Sequence, residues 1–330
     1  MELSEQNVRS AKSSFLPNAS AGVTGVYLDP EIAEISNGQN PEITTTGNVA
    51  VEQLVYSESA AASIDIQEST NKAQQEVYNS FELDAILNAS HAYFNALILQ
   101  TNVSIQNQNL LLTKRNLEIA ERNFEAGASG KSDVLRFRSQ LAQNTQSLVD
   151  ASNQLNQSYY LINQLLNNDI STKIALSDAE IGADVFQDYH YESLQRLLDN
   201  PQVRFKLAEF LVIEAKRNAP ELKNIGYSRD AVERNFRLND KGRYVPTVAL
   251  QGNYNLVMSR SGAGTDVPIG FPSRPDDDYN VALNVSLPLF QQNQRNINRQ
   301  AASIQKDQLD IQEENFELSI EKNVNDILLD

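Results

Sequence analysis

Two hydrophobic periods alternate along the chain, a seven-residue period typical of packed helices and a two-residue period typical of strands. Residues 57–126 contain neither Pro nor Gly, and two apolar series recur in them every seven positions: Val103, Leu110, Leu117 and Phe124, and Ile98, Ile105, Leu112 and Ile119. Because the two series are offset by two residues, or about 200° around a helix, they lie on nearly opposite faces. The pattern predicts a helix on the order of 100 Å long that packs against a neighbour on each side.

The helical pattern stops and restarts at a short segment rich in Gly and Ser. The stop comes at Gly127, and Ser132 or Asp133 is expected to cap the helix that follows. The seven-residue series then continues through Val134, Leu141, Leu148, Leu155 and Ile162. We therefore expect a helical hairpin over about 57–168 with its tip at 127–132.

Strand periodicity flanks the helices. One run has an apolar residue at every odd position, namely Tyr279, Val281, Leu283, Val285, Leu287 and Leu289. This alternation predicts a strand at about 279–290, and similar patterns predict strands at about 15–28, 47–56 and 245–259. Strands of about ten residues are long enough to cross a bilayer at a tilt. Long polar loops are expected to join the four strands in two pairs.

The two halves of the chain resemble each other. The matching segments are Phe15-Leu16-Pro17 with Tyr244-Val245-Pro246, Leu54-Val55-Tyr56 with Pro288-Leu289-Phe290, and Phe81-Glu82-Leu83 with Phe316-Glu317-Leu318. Each half reads as helix, strand, loop, strand and very long helix, which indicates an internal duplication. We predict a first repeat over 1–169, short equatorial helices and a linker over 170–243, and an incomplete second repeat over 244–330 whose long helix begins at about 291. Because each copy lacks part of a helix that the other has, we expect a fragment truncated at both ends.

The composition excludes several functions. The 330 residues include 27 Lys and Arg against 43 Asp and Glu, and the net charge of -16 repels nucleic acid. The chain has no Cys, which excludes disulfides, thiolate metal sites and a cysteine nucleophile. No apolar run approaches the roughly 20 residues of a membrane-spanning helix. No acid/base pair, nucleophile or metal-ligand set converges, so we predict that the protein is not an enzyme and has no catalytic, cofactor-binding or metal-binding residues.

Four amphipathic strands raise the question of what covers their apolar side. They cannot close a ring alone, and lipid does not tolerate open strand edges. One hypothesis is therefore that the chain contributes a sector to a ring shared between several copies. The alternative is a soluble coiled-coil scaffold without channel activity, whose strands form a protein-packed layer. The two hypotheses differ in what contacts the odd residues of 279–289.

The hairpin tip carries an Arg, an aromatic residue, a Gly and small residues followed by Asp-Val, at Arg122, Phe124, Gly127 and Asp133-Val134. Together with the repeated helix, Pro and strand pair, this tip resembles the TolC-like outer membrane efflux protein family over essentially the whole chain. The resemblance implies a mainly α fold with membrane β structure. It also implies that long coiled-coil hairpins form a periplasmic α-barrel and that each chain of a homotrimer contributes four strands to a shared outer-membrane β-barrel. The implied location is the outer membrane and periplasm of a Gram-negative bacterium.

The resemblance also implies a function and partners. The expected function is the outer-membrane channel of a tripartite efflux or type I secretion system, a passive conduit for drugs, small molecules or secreted proteins. Its expected partners are a periplasmic adaptor (membrane fusion) protein and, through it, an inner-membrane pump. Gly127, Ala128 and Ser129 match the tip residues that contact the adaptor, and Asp133 matches an acidic residue that helps to hold the closed state.

The lipid bilayer is a further expected partner. The odd residues of the last strand, from Tyr279 to Leu289, are expected to face it. Because the chain has no Trp, aromatic residues near the strand ends must supply the belt that anchors such proteins at the membrane interfaces: Tyr27, Tyr56, Tyr279 and Phe290.

Overall fold

The computed structural model describes residues 1–177, 200–267, 269–270, 272 and 274–329. Its elements in chain order are α1 (Glu2–Ser13), β1 (Asn18–Tyr27), α2 (Pro30–Ile35), β2 (Ile43–Tyr56), α3 (Glu58–Glu125), α4 (Lys131–Leu165), α5 (Pro201–Asn218), α6 (Pro220–Asp240), a 3-10 turn (Gly242–Tyr244), β3 (Thr247–Ser261), β4 (Asp277–Ser286) and α7 (Gln294–Leu329). Part of the predicted equatorial region, 178–199, lies outside the described residues.

The chain divides into two compact units. The first comprises Met1–Tyr78 together with Ala208–Asp330, and it contains the strands. The second comprises Asn79–Leu207, and it contains α3 from Asn79 onward and all of α4. The long uninterrupted helix predicted from the sequence is present as α3, with 68 residues.

The four strands form one antiparallel sheet in the order β1-β2-β3-β4. The two predicted strand pairs are joined edge to edge, because β2 pairs with β3 from Ile43 opposite Ser261 to Tyr56 opposite Val248. A bulge between Thr45 and Thr46 shifts the register of this pairing. The sheet therefore combines strands from both halves of the duplicated sequence.

The loop predicted between the first two strands is shorter than expected. Strand β2 begins at Ile43 rather than near residue 47, because Thr44, Thr45 and Thr46 continue the ladder opposite β1. Threonine favours strands through its β-branch, but three in succession show no apolar alternation, so the pattern missed them. The remaining loop contains α2, where the Asp29 side chain accepts a hydrogen bond of 2.9 Å from the Glu31 N–H and Pro30 occupies the first turn.

Strand β4 ends at Ser286, so the prediction that it reaches residue 290 was wrong at that end. Ser286 pairs with Thr247, the first residue of β3, and the ladder has no further partner. Pro288 also lacks the N–H that a longer strand would need. Leu287 and Leu289 consequently lie in the connection to α7 and not in the strand.

Helix α6 contacts the first residues of α3, and α7 packs on α6, within the first unit. Arg234 of α6 forms ion pairs of 2.8 Å with Glu58 and 2.6 Å with Asp65. Arg299 of α7 pairs with Asp240 at 3.1 Å. Ile225 is 2% exposed and is among the largest fully buried side chains of the described residues. Polar contacts thus hold these helices around a small apolar core.

The hairpin unit is held together by small and polar side chains. Buried positions along the α3–α4 pair include several alanines and two larger residues: Ala92, Ala96, Leu110, Ala120, Val134 and Ala151. Between the helices the Asn144 amide donates a hydrogen bond of 2.7 Å to the Thr113 hydroxyl. Small residues allow close approach of the two backbones. Within the described residues, no helix is both apolar enough and long enough to traverse a bilayer.

The two seven-residue series of α3 have different surroundings. Leu110 of the first series is 8% exposed and lies one turn from Thr113, which bonds to α4. In the second series Ile98, Ile105, Leu112 and Ile119 are 66%, 50%, 58% and 54% exposed. The first series is therefore covered in its middle and exposed at Phe124, whereas the second series is uncovered in the single chain.

Candidate functional site: the amphipathic sheet and the hairpin tip

The pairing register assigns each strand residue to one of two faces, because directly opposed residues of antiparallel strands project to the same side. Val281 of β4 pairs with Gly252 of β3, which pairs with Val51 of β2, which pairs with Ala19 of β1. Extending this row along the sheet gives the apolar face, defined here by Ala19, Ala21, Val23, Val49, Val51, Val248, Leu250, Tyr254, Tyr279, Val281, Leu283 and Val285.

The apolar face is exposed in the single chain. On β4 the exposed fractions of Tyr279, Val281, Leu283 and Val285 are 79%, 71%, 65% and 60%. Contiguous apolar surface of this kind on a monomer marks contact with a membrane or another protein. The structure thus places four of the six predicted membrane-facing residues on one open face of a strand, whereas Leu287 and Leu289 follow the strand.

The opposite side, the polar face, carries hydrogen-bonded amides. The Asn48 amide donates to Asn255 at 2.8 Å, and the Asn255 amide donates to Asp278 at 2.8 Å, so one row crosses β2, β3 and β4. In the next row the Asn253 amide donates to Asn280 at 3.0 Å. The sequence shows Asn253, Asn255 and Asn280 alternating with apolar residues, but the hydrogen bonds among the amides follow only from the register.

Aromatic residues lie at both ends of the sheet. Tyr27 and Tyr279 lie at the end where loops connect the strands, and they are 70% and 79% exposed. Tyr56 and Phe290 lie at the end where the helices begin, and they are 46% and 80% exposed. Two such levels are the arrangement that aromatic anchoring at two membrane interfaces requires.

The two strand-connecting loops pack against each other above the polar face. The Glu42 N–H donates to the Ala263 carbonyl at 2.9 Å, and the Ala263 N–H donates to the Glu42 carboxylate at 2.8 Å. Below them is a cavity of about 520 Å³ whose lining includes Ile32 from α2 and Asn255 and Arg260 from the polar face. The sequence did not predict that the two loops pack over the polar face. Asp29-Pro30, at the start of α2, is nevertheless a recognisable signal for the start of a helix.

The hairpin tip is built by a Schellman motif at the end of α3. The Ala128 N–H donates to the Asn123 carbonyl at 2.8 Å, and the Gly127 N–H donates to the Phe124 carbonyl at 3.0 Å. Gly127 has a φ of 73°, a left-handed conformation that penalises any residue with a Cβ. No atom lies within 4 Å of the position that its Cβ would occupy, so this point of the tip is open.

The start of α4 differs from the prediction. Gly130 is the N-cap residue, and no side chain caps the helix, so the expectation that Ser132 or Asp133 does so was wrong. Both residues lie in the first turn, where the Asp133 carboxylate faces the positive end of the helix dipole and lies 3.6 Å from Arg136. Gly130 has an extended backbone conformation, and glycine is among the residues preferred at an N-cap.

The three predicted adaptor-contacting residues are consecutive at the tip and differ in exposure. Gly127 and Ala128 are exposed, and Ser129 is half-buried. The Ser129 hydroxyl oxygen is buried and has no hydrogen-bond partner among the described residues. The tip therefore offers a small-residue surface with open backbone and few side-chain obstructions.

Charged groups outside the sheet stabilise the helices. Burial of the Arg234 guanidinium lowers its pKa, but hydrogen bonds to Asp65 and Glu58 outweigh this effect, and the net pKa is raised. A hydrogen bond from Arg237 lowers the pKa of Glu233. The Ser171 hydroxyl and N–H lower the pKa of Asp169 after the end of α4.

The described residues contain no cluster of three or more His, Asp or Glu side chains suited to a metal ion.

Comparisons with known proteins agree with this geometry. The sequence model described as "Outer membrane efflux protein" matches residues 1–168. Among solved structures, CusC superposes with a TM-score of 0.69 at 12% identity, covering 99% of this chain and 68% of that chain. The Campylobacter jejuni CmeC outer membrane channel gives 0.67 at 16% identity, covering 96% and 63%. The Vibrio cholerae outer membrane protein VceC gives 0.65 at 12% identity, covering 96% and 70%.

These similarities confirm the predicted family, the mainly helical fold with four antiparallel strands, and the outer-membrane location. The chain spans about two thirds of the length of the solved channels that it resembles. No curated protein sequence was found to match it significantly. Family membership also favours a non-enzymatic efflux channel over the soluble scaffold. The chain belongs to the outer membrane efflux protein family, the TolC-like channels of Gram-negative bacteria.

Proposed function

We propose that this chain is one subunit of a homotrimeric conduit that joins a periplasmic adaptor protein to the cell exterior in a tripartite efflux or type I secretion system. The observation that carries the proposal is the two-faced sheet, with an exposed apolar face on one side and hydrogen-bonded amides on the other. Such a sheet suits a boundary between lipid and a water-filled passage.

The open edges of the sheet support the assembly of several copies in this proposal, and the number three comes from the resemblance to the family. The outer edges of β1 and β4 have no partner strand among the described residues. In hydrocarbon each unpaired backbone group costs several kcal/mol, so neighbouring copies must pair these edges. The uncovered seam of Ile98, Ile105, Leu112 and Ile119 requires a helical neighbour in the same way.

The adaptor contact in this proposal lies at Gly127, Ala128 and Ser129. Its support is the open small-residue surface of the tip and the match to the family pattern. In the same proposal Asp133, in the first turn of α4, contributes to the closed state of the tip. Asparagine tolerates a positive φ, so Gly127→Asn keeps the turn and adds a side chain. We expect this variant to fold and to lose cross-linking to the adaptor, whereas unchanged cross-linking would contradict the assignment.

Adjacent residues on opposite faces provide the main test of the conduit. Leu283→Asp places a charge on the apolar face, and Asn284→Asp places the same charge on the polar face. A charged residue facing lipid near the membrane midplane costs up to about 2–4 kcal/mol, less for Asp than for Lys or Arg. We expect Leu283→Asp to reduce insertion into planar bilayers strongly and Asn284→Asp to insert and conduct like the unmodified protein. Equal insertion of both variants would contradict the proposal.

A further inference from the structure

The junction between the sheet and the helices contains a small amphipathic cavity. It has a volume of about 270 Å³, and its apolar lining includes Tyr244, Leu289 and Phe290. These side chains are 67%, 92% and 80% exposed, so the cavity opens onto uncovered apolar surface. It lies just beyond the end of β4, directly after the last residues of the apolar face.

Two arginines complete the lining of this cavity. Arg243 lies beside Tyr244, with its guanidinium carbon 4.8 Å from the centre of the ring, and it donates a hydrogen bond of 3.0 Å to Asn296. Arg295 donates a hydrogen bond of 3.1 Å to Gln291. In the part of the chain that the structure describes, neither arginine forms an ion pair with a carboxylate. The Nε atom of Arg243 is buried without an acceptor.

The local charge is opposite to that of the whole chain. The net charge is -16, but the segments that form the cavity, residues 241–250 and 287–306, contain basic residues and no Asp or Glu. Other arginines near this level are neutralised, as Arg299 is by Asp240. Two guanidinium groups without a carboxylate partner, beside exposed apolar side chains, are complementary to a ligand with an anionic head and an apolar body.

We propose that this cavity binds the phosphate of an anionic phospholipid in the membrane leaflet nearest the helices. Arg243 and Arg295 bind the phosphate, while Leu289, Phe290 and Tyr244 contact the first part of the acyl chains. The inference rests on the proposed placement of the apolar face in lipid, and it adds a specific headgroup site at the edge of that face. The bound lipid anchors the sheet at a fixed depth in the bilayer.

The test compares lipid selectivity in the full chain. The protein and its variants are incorporated into vesicles of phosphatidylcholine with or without phosphatidylglycerol, extracted in mild detergent and analysed for retained lipid. A basic residue near an anionic lipid surface contributes a factor of about five in binding, so removal of both lowers selectivity about 25-fold. We expect the unmodified protein to retain phosphatidylglycerol preferentially, and Arg243→Gln with Arg295→Gln to lose the preference. Lys114→Gln with Arg115→Gln in α3 removes the same two positive charges outside the cavity and should keep the preference.

Four results would each overturn a different part of the proposal or its premise. Equal retention of both lipids by the unmodified protein, or an unchanged preference in the double variant, overturns the headgroup site while insertion itself stands. Displacement of phosphatidylglycerol by millimolar inorganic phosphate overturns the lipid assignment in favour of a free anion. Failure of the unmodified protein to float with phosphatidylcholine vesicles overturns the membrane placement and with it this inference. Because the whole chain is strongly acidic, non-specific attraction does not explain a preference for an anionic lipid.

Discussion

Asn48 donates a hydrogen bond of 2.8 Å to Asn255, although 207 residues separate the two side chains along the chain. Asn48 belongs to β2 and Asn255 to β3, so the bond joins the strand pairs of the two sequence copies. Asn255 also donates to Asp278, which makes it the centre of a row across three strands. The same side chains occupy the polar face, so the contact that joins the two halves also belongs to the proposed lining of the passage.

Removal of the central amide should weaken the sheet. Asn255→Ala loses the bonds to both Asn48 and Asp278, and a typical side-chain hydrogen bond contributes about 1 kcal/mol. We expect the free energy of unfolding in detergent to fall by about 1–2 kcal/mol. Asn284→Ala, also on the polar face, is the matched control and should change it by less than about 0.5 kcal/mol. A similar loss in both variants would show that the amide row has no special role.

The ion pairs between α6 and α3 give a second prediction. Arg234 has 18% of its side chain exposed and binds both Glu58 and Asp65, so Arg234→Gln leaves two carboxylates without a cation. Loss of one member of a buried pair costs about 3–5 kcal/mol, and partial exposure reduces this to about 2 kcal/mol. Denaturant unfolding measures the change. The control is Arg217→Gln, since Arg217 is 78% exposed and its ion pair with Glu214 is long, at 3.8 Å. Its cost should stay below about 0.5 kcal/mol.

The tip turn should depend on the backbone conformation of Gly127. Its φ of 73° costs a residue with a Cβ about 1–2 kcal/mol, while the space around it is open. Gly127→Ala should therefore lower hairpin stability by about 1 kcal/mol without rearranging neighbouring residues. Amide hydrogen exchange at Ala128 and Ser129 reports the change directly. Gly226→Ala lies inside α6, where alanine is favoured and space is free, and it should not destabilise the protein. Unaltered exchange in Gly127→Ala would contradict the left-handed conformation.

A pH-dependent prediction concerns the turn after α4. Hydrogen bonds from the Ser171 hydroxyl and N–H hold the pKa of Asp169 below its ordinary value of 3.8. A depressed folded-state pKa stabilises the native turn above the unfolded pKa, and this contribution disappears as the pH falls through the lower folded value. Protection of the Ser171 amide should therefore differ between the unmodified protein and Asp169→Asn at pH 7, and the difference should vanish at strongly acidic pH. A difference that grows on acidification would have the wrong sign.

The seven-residue and two-residue periods were sufficient to predict the long helix, the hairpin and the four strands. These periods predict the elements because each long helix or strand presents its apolar residues on one regular face. The strand ends that were predicted wrongly depend instead on pairing between strands. Leu287 continues the apolar alternation, but Pro246 and Pro288 end the pairing before it. Thr44–Thr46 belong to a strand because of their partners in β1, which no local pattern shows.

The candidate site was predictable only in part. The apolar positions of β4 follow from alternation, and the Gly127 turn follows from glycine chemistry. The row of amides through Asn255 and the packing of the two loops above it can be predicted only if β2 is known to lie beside β3. The arginine-lined cavity likewise depends on a residue before β3 meeting residues at the start of α7. Such contacts between distant segments are set by the sheet order and not by the local sequence.

The absence of Cys makes one measurement especially direct. Single cysteines at positions 283 and 284 place neighbouring thiols on the two faces of β4. After reconstitution into lipid vesicles, Leu283→Cys should resist a water-soluble maleimide and react after detergent denaturation, whereas Asn284→Cys should react while membrane-bound. This pattern would place lipid on the apolar face and water on the polar face. Equal protection or equal labelling of the two thiols in the membrane would contradict the two-faced sheet on which the proposed conduit depends.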